Sequence, residues 1–188
     1  MFRYFLIYKP FGMLSQFSQE GGHATLADLD FIFPKDIYPV GRLDADSEGL
    51  LLLTNDNYLK TKLLEPRNKH SRTYYVQVEG NITEEVCASL SSGVKISING
   101  KAYQTLPAKV FPIEEPQVPE RNPPIRFRKN IPTSWISIQL TEGKNRQVRK
   151  MTSAVGFPTL RLVRVRVGNV HLGDLQPGNV QETEQFDV

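Results

Sequence analysis

The chain predicts an α+β fold built on a mixed, mostly antiparallel sheet. Three observations carry that prediction. Apolar and polar residues alternate in short runs, most cleanly in Arg72 to Glu79, where Tyr74, Val76 and Val78 share one face and Thr73, Tyr75 and Gln77 the other. Asn99-Gly100, the strongest short hairpin signal, separates Val94–Ile98 from Lys101–Thr105. Helical periodicity is confined to a few short segments, so hairpins connect most of the strands.

In chain order, Phe2 to Tyr8 predicts a first strand, stopped by the turn Lys9-Pro-Phe-Gly12. Thr25 caps a short helix running to Leu29. Ile37 to Val40 leads into an acidic run. Leu50 to Leu53 then form an element buried on both faces, because consecutive leucines leave no side for water. Asn55 or Asp56 caps a helix whose Leu59, Leu63 and Leu64 share a face, and Glu65-Pro66 stops it. A second helix starts at Thr83, with Glu84 and Glu85 placed to favour its dipole, and ends at Gly93.

Residues 107–132 contain seven prolines and predict a long loop, which Arg121, Arg126, Arg128 and Lys129 mark as a functional surface. Trp135 to Leu140 reads as a strand with Ile136, Ile138 and Leu140 inward. A helix from about Asn145 aligns Val148, Met151 and Val155 and stops at Gly156. Thr159 to Val167 closes as a strand, with Val163, Val165 and Val167 on one face and Arg164 and Arg166 on the other.

At 188 residues, 23% charged and 39% hydrophobic, the chain suits one domain over 1–188, with 107–132 a loop inside it. No segment approaches the roughly 20 apolar residues that span a bilayer. Met1 to Tyr8 is too short and too interrupted, by Arg3, for a secretory leader. The single Cys87 allows no internal disulfide, so a cytoplasmic location is expected. Three scattered histidines without cysteine clusters argue against structural zinc.

Charge is unevenly spread behind a net +3. Residues 121–166 carry 11 basic side chains against the single acid Glu142, and from Val167 onward there are four acids and no bases. Such a concentration repels itself unless a polyanion meets it, so nucleic acid is the expected partner. Arginine outnumbers lysine there eight to three, which suits bidentate phosphate contacts.

Two constellations carry the chemistry. In the run from Val40 to Asp56, Asp44, Asp46 and Glu48 alternate ahead of Gly49 and the four leucines. A calcium loop would need oxygen ligands after that glycine and a glutamate at its end, where this chain has leucines and Asn55. In extended chain Arg42 and Asp44 point the same way, with Leu43 into the core. A carboxylate so placed loses hydration and Arg42 offsets the loss, which describes a reactive acid or a structural ion pair.

The second constellation is Glu142-Gly-Lys-Asn-Arg-Gln-Val-Arg-Lys-Met151. On a helix, Arg146, Arg149 and Lys150 make a basic stripe while Val148 and Met151 face the core. Arg149 at the edge of the buried face needs a carboxylate, for which Asp44 is a candidate. Tyr74 suits either a core position or stacking on an unstacked base beside a basic cleft.

Together these segments resemble the RsuA branch of the pseudouridine synthases. Gly41-Arg-Leu-Asp44 through Asp56 is similar to that branch's catalytic motif, and Lys9-Pro-Phe-Gly12 to its opening turn. Arg72-Thr-Tyr74 stands where the family usually has Lys-x-Tyr, and Glu142 to Met151 followed by Val155-Gly-Phe-Pro158 resembles its C-terminal motif. Residues 121–126 and 131–135 are most like members that modify large-subunit ribosomal RNA. The N-terminal S4-like domain of many relatives is not expected here, so RNA affinity would come from the catalytic region.

The resemblance implies an isomerase that converts a uridine of large-subunit ribosomal RNA to pseudouridine, without cofactor or metal. It implies Asp44 as the essential carboxylate, Tyr74 stacking on the base and Val148 packing on the uracil. It further implies Arg149 pairing with Asp44, and Arg42 holding the substrate strand. Arg121, Arg126, Arg128, Lys144, Arg146, Lys150, Arg164 and Arg166 are the expected RNA contacts, and the enzyme is expected to be a monomer. The rival readings are a non-catalytic ribosome-assembly module, which has no need of Asp44, and a nuclease holding magnesium on Asp44, Asp46 and Glu48.

Overall fold

The computed structural model describes residues 1–126 and 128–188; Phe127, within the expected 107–132 loop, lies outside the described residues. The strands are β1 (Tyr4–Lys9), β2 (Tyr38–Pro39), β3 (Glu48–Thr54), β4 (Arg72–Glu79), β5 (Lys95–Ile98), β6 (Lys101–Gln104), β7 (Lys109–Ile113), β8 (Thr133–Leu140), β9 (Thr159–Val167), β10 (Val170–His171) and β11 (Val180–Thr183). The helices are α1 (Asn57–Leu64), α2 (Glu84–Ser92) and α3 (Gln147–Ala154). The main sheet runs β11-β1-β3-β9-β4-β8-β7, and β5-β6 form a separate hairpin. Within that order the β3–β9 pairing is parallel and the others are antiparallel, which is the expected mixed sheet.

Two halves meet at β9. In the N-terminal half, Leu50 to Leu53 are at most 1% exposed, because β3 is covered on both faces. Leu50 and Leu52 pack with Tyr4, Tyr8 and the α1 residues Leu59 and Leu63. Leu51 and Leu53 pack with Phe5, Ile7, Leu26 and Ile37. In the other half, Val76, Val78, Ile136 and Ile138 bury against α2 and α3 through Leu90, Val148 and Met151.

Local signals hold where side chains cap or terminate. Thr25 caps a single 3-10 turn at Leu26–Asp28, with Asp28 completing the box. Asp56 accepts from the Leu59 amide to start α1, and Thr83 does the same for α2, which Gly93 ends. Three readings need correction. Leu64 is 40% exposed, because α1 lies on the sheet through Leu59 and Leu63 alone. α3 begins at Gln147, since Arg146 takes a left-handed conformation that ends the preceding loop. The segment 107–132 contains β7, which runs antiparallel to β8. The acidic tail supplies β11, an edge strand on β1.

Candidate active site

A cleft of about 830 Å³ lies between the two halves. Its N-terminal wall is the loop 40–47, and Tyr74, Val148, Leu162 and Arg164 face it from the other side. Arg42, Lys69, Arg72, Lys144, Arg146 and Arg164 line it against Asp44, Glu65 and Glu142, so it is basic.

The loop that carries Asp44 is fastened on either side of it. The Ser15 hydroxyl accepts from the Leu43 amide and donates to the Leu43 carbonyl, both at 2.9 Å. The Ala45 carbonyl accepts from the Gly12 amide at 2.7 Å and from the Lys9 ammonium at 3.5 Å. That ammonium is wholly buried and also donates to the Pro10 and Met13 carbonyls. Burial lowers the Lys9 pKa to about 8, against the opposing pull of Glu48, Asp46 and Asp44. The Lys9-Pro-Phe-Gly12 turn, legible from sequence as a chain reversal, is therefore the clamp on the Asp44 loop.

The Asp44 carboxylate opens into the cleft with its side chain 40% exposed. The expected dry environment is thus corrected: the acid stands at a wetted mouth, and the loop backbone carries the burial. The expected partners are corrected too. Arg42 is exposed and donates to Gln16 at 3.0 Å. Arg149 donates to the Asp46 carbonyl at 2.6 Å and approaches its carboxylate at 3.5 Å. The guanidinium nearest Asp44 belongs to Arg146, at 3.5 Å.

Arg146 also forks onto the Asp46 carboxylate at 2.9 and 2.7 Å. Those hydrogen bonds hold the Asp46 carboxyl below the usual carboxylate range. Its left-handed backbone, φ +51°, costs a non-glycine residue about 1 kcal/mol or more. Gln147 braces the turn by accepting from the Lys144 amide and donating to Glu142. Glu142 in turn accepts from the Tyr103 hydroxyl, tying the β5–β6 hairpin to α3.

Glu48 points away from the other two acids. It forks with Arg161 at 2.8 and 2.9 Å, both side chains almost fully buried, and Arg161 also donates to Pro119. The three acids therefore do not converge, and among the described residues no three His, Cys, Asp or Glu side chains are placed to hold a metal ion.

The expected RNA contacts divide. Arg126 and Arg128 are exposed, the latter 3.4 Å from Glu79. Lys144 is exposed over the Tyr103 ring. Arg146, Arg149 and Lys150 line a second hollow of about 730 Å³ between α3 and the β5–β6 hairpin, with Lys95 on its far side. Arg121 stacks on Phe11 and donates to the Pro123 and Pro124 carbonyls, so it fixes the long loop to the clamp turn. Arg166 folds back onto Gly168 and Asn169. Arg164, expected as an RNA contact opposite the valines, is 4% exposed, because the cleft closes over β9. Sequence reasoning assigned no function to Lys9, Ser15 or Arg161, whose roles depend on carbonyls and acids brought in by the fold.

A family model described as RNA pseudouridylate synthase matches residues 3–154. The chain is 53% identical over 176 residues to the ribosomal large subunit pseudouridine synthase E of Vibrio parahaemolyticus, covering 94% of this chain and 71% of the relative. It is 48% identical over 173 residues to the protein of the same name from Xanthomonas axonopodis, covering 92% and 89%. A crystal structure of a pseudouridylate synthase superposes with a TM-score of 0.77 at 25% identity, over 98% of this chain and 71% of that one. With its matched motifs arranged around one basic cleft, this chain belongs to the RNA pseudouridylate synthase family.

Proposed function

We propose that the chain isomerises a uridine of large-subunit ribosomal RNA to pseudouridine, with Asp44 as the acting carboxylate. The observation that carries this is the placement of Asp44: a clamped loop holds an accessible carboxylate in a basic cleft that Tyr74 and Val148 also line. In the reaction the N1–C1′ bond breaks, the ring turns, and C5 bonds to C1′. The C5 hydrogen leaves to water and N1 takes one up. The sugar carbon becomes cationic on the way, and a carboxylate beside it lowers the barrier by charge or by covalent capture.

Tyr74 supplies a stacking face for the flipped base and Val148 an apolar surface against it. Arg146 and Arg149 hold the loop through Asp46, and Arg42 at the rim meets the strand. Arg126, Arg128, Lys144 and Lys150 contact phosphates. The large-subunit substrate follows the names of the two relatives above; a cytoplasmic location and action as a monomer are proposed beside it.

The test is tritium release from a large-subunit transcript labelled at uridine C5, with and without EDTA. Release indifferent to chelator is the expected result. Binding without release would leave a non-catalytic module, and chelator-sensitive strand cleavage would leave a nuclease.

A further inference from the structure

Arg164, on β9, is the buried cation of the cleft that has no acid to meet it. Its Nε donates to the Leu50 carbonyl at 2.8 Å, and the side chain lines the cavity with Tyr74 and the Asp44 loop. Among the described residues no carboxylate lies within ion-pairing distance of it, whereas Arg161 has Glu48, and Arg146 and Arg149 share Asp46. The buried Lys9 is held by three carbonyls. Tyr74 is the register partner of Arg164 across the β4–β9 pairing, and a second cation, Arg72, lines the same cavity, its own polar contact the Leu63 carbonyl at 3.4 Å.

A buried charge without a counter-charge costs several kcal/mol. A fold keeps one where negative charge arrives later. The position of Arg164 is also closely specified. Its residue pairs with Gly49 in the parallel register, and a Cβ on Gly49 would stand 2.3 Å from the Arg164 carbonyl oxygen. The guanidinium is thus tied to the strand that directly follows the Asp44 loop.

We propose that Arg164, with Tyr74 next to it in the cleft wall, is a catalytic group that receives the negative charge released onto the uracil ring. This rests on the isomerase reading above. When N1–C1′ breaks, the bonding electron pair leaves with the base and its charge spreads over N1, O2 and O4. The pair returns to the sugar as C5–C1′ forms, the C5 proton departs and N1 is protonated, so nothing is oxidised or reduced. A guanidinium that is itself buried, set against a ring carbonyl, binds the charge-separated state more tightly than the neutral nucleotide. The breaking bond then has opposite partners at its two ends: Asp44 on the cationic sugar side and Arg164 on the anionic base side. A flanking phosphodiester would satisfy the same cation, but at 4% exposure Arg164 is reached from inside the cleft, where one flipped base enters.

The test compares wild type, Arg164→Met and Arg164→Lys in single turnovers on transcripts carrying uridine or 5-fluorouridine, whose base leaves as a more stable anion. Arg164→Met is expected to slow the uridine reaction about 10²–10³-fold while RNA affinity stays within about threefold. The loss on 5-fluorouridine is expected to be at least about tenfold smaller, and Arg164→Lys to recover about tenfold on uridine. Equal losses on the two substrates would overturn the proposal, as would a loss confined to affinity, which would make Arg164 a phosphate contact. Should Arg164→Met fail to fold, Arg164→Lys carries the same comparison, and its uridine loss must exceed its fluorouridine loss. A wild type inert on uridine would instead bring down the isomerase reading itself.

Discussion

Asp44 and Arg146 face each other at 3.5 Å across the cleft mouth, while Arg149 reaches past Asp44 to the carbonyl of Asp46. The two arginines therefore do different work. Arg146 is 41% exposed and tunes the field at the carboxylates, whereas Arg149, at 15%, holds the loop backbone.

Asp44→Asn keeps the shape of the side chain and removes its charge. Turnover is expected to fall at least about 10³-fold, roughly 4 kcal/mol of barrier. Filter binding should show RNA affinity unchanged within about threefold, because the phosphate contacts lie elsewhere. Wild-type turnover in this variant would take the carboxylate out of the mechanism.

Arg146→Ala is expected to change stability by less than about 1 kcal/mol, as for other solvent-screened pairs. Its single-turnover rate should drop about 10–100-fold, because Asp44 and Asp46 lose their shared brace. Arg149→Ala is expected to cost about 2–3 kcal/mol in urea unfolding through its lost charged hydrogen bond. The reverse ranking of stabilities would refute this division of roles.

Lys9 makes stability rise with pH over a defined window. Its folded pKa is lowered to about 8, while the unfolded lysine titrates near its ordinary value, 10.5. Below about pH 8 both states hold the proton and the burial cost stands in full; between those limits the unfolded chain binds more protons, so stability increases. Above pH 10 the tyrosines act oppositely, since burial raises the Tyr4 and Tyr8 values. Unfolding midpoints between pH 7.5 and 10 should therefore climb in the wild type, and Lys9→Met should flatten the climb.

Arg126→Ala with Arg128→Ala removes two exposed cations of the long loop. If each meets one phosphate of a single strand, the slope of log affinity against log salt should shrink by about 1.4. An unchanged slope would place the loop outside the RNA interface.

Much of the frame was legible because local rules and the fold agree. Four adjacent leucines demand a strand covered on both faces, and β3 is one. Asn99-Gly100 closes the β5–β6 hairpin with both residues at positive φ, as that turn requires. What escaped depends on partners distant in sequence. β11 reads Val-Gln-Glu-Thr and lacks an apolar rhythm; it is a strand because β1 offers an open edge. β7 lies among prolines, whose missing N–H an edge strand tolerates.

The site shows the same limit. Alternation along β9 correctly separated Arg164 from Val163, but alternation reports faces and cannot report that both faces are roofed. Spacing likewise offered Arg42 and Arg149 as equal suitors for Asp44. The left-handed turn at Arg146, which no pattern announces, brings a third guanidinium to Asp44 in place of both.

The strand order has a consequence for synthesis. β9, which follows both β3 and β4 in the chain, is the stave that joins them. Without β9, β3 and β4 would each present a bare edge to the other half. The cleft comes into being at one late moment, when that stave slides home, so an unfinished chain has no catalytic mouth with which to grip RNA.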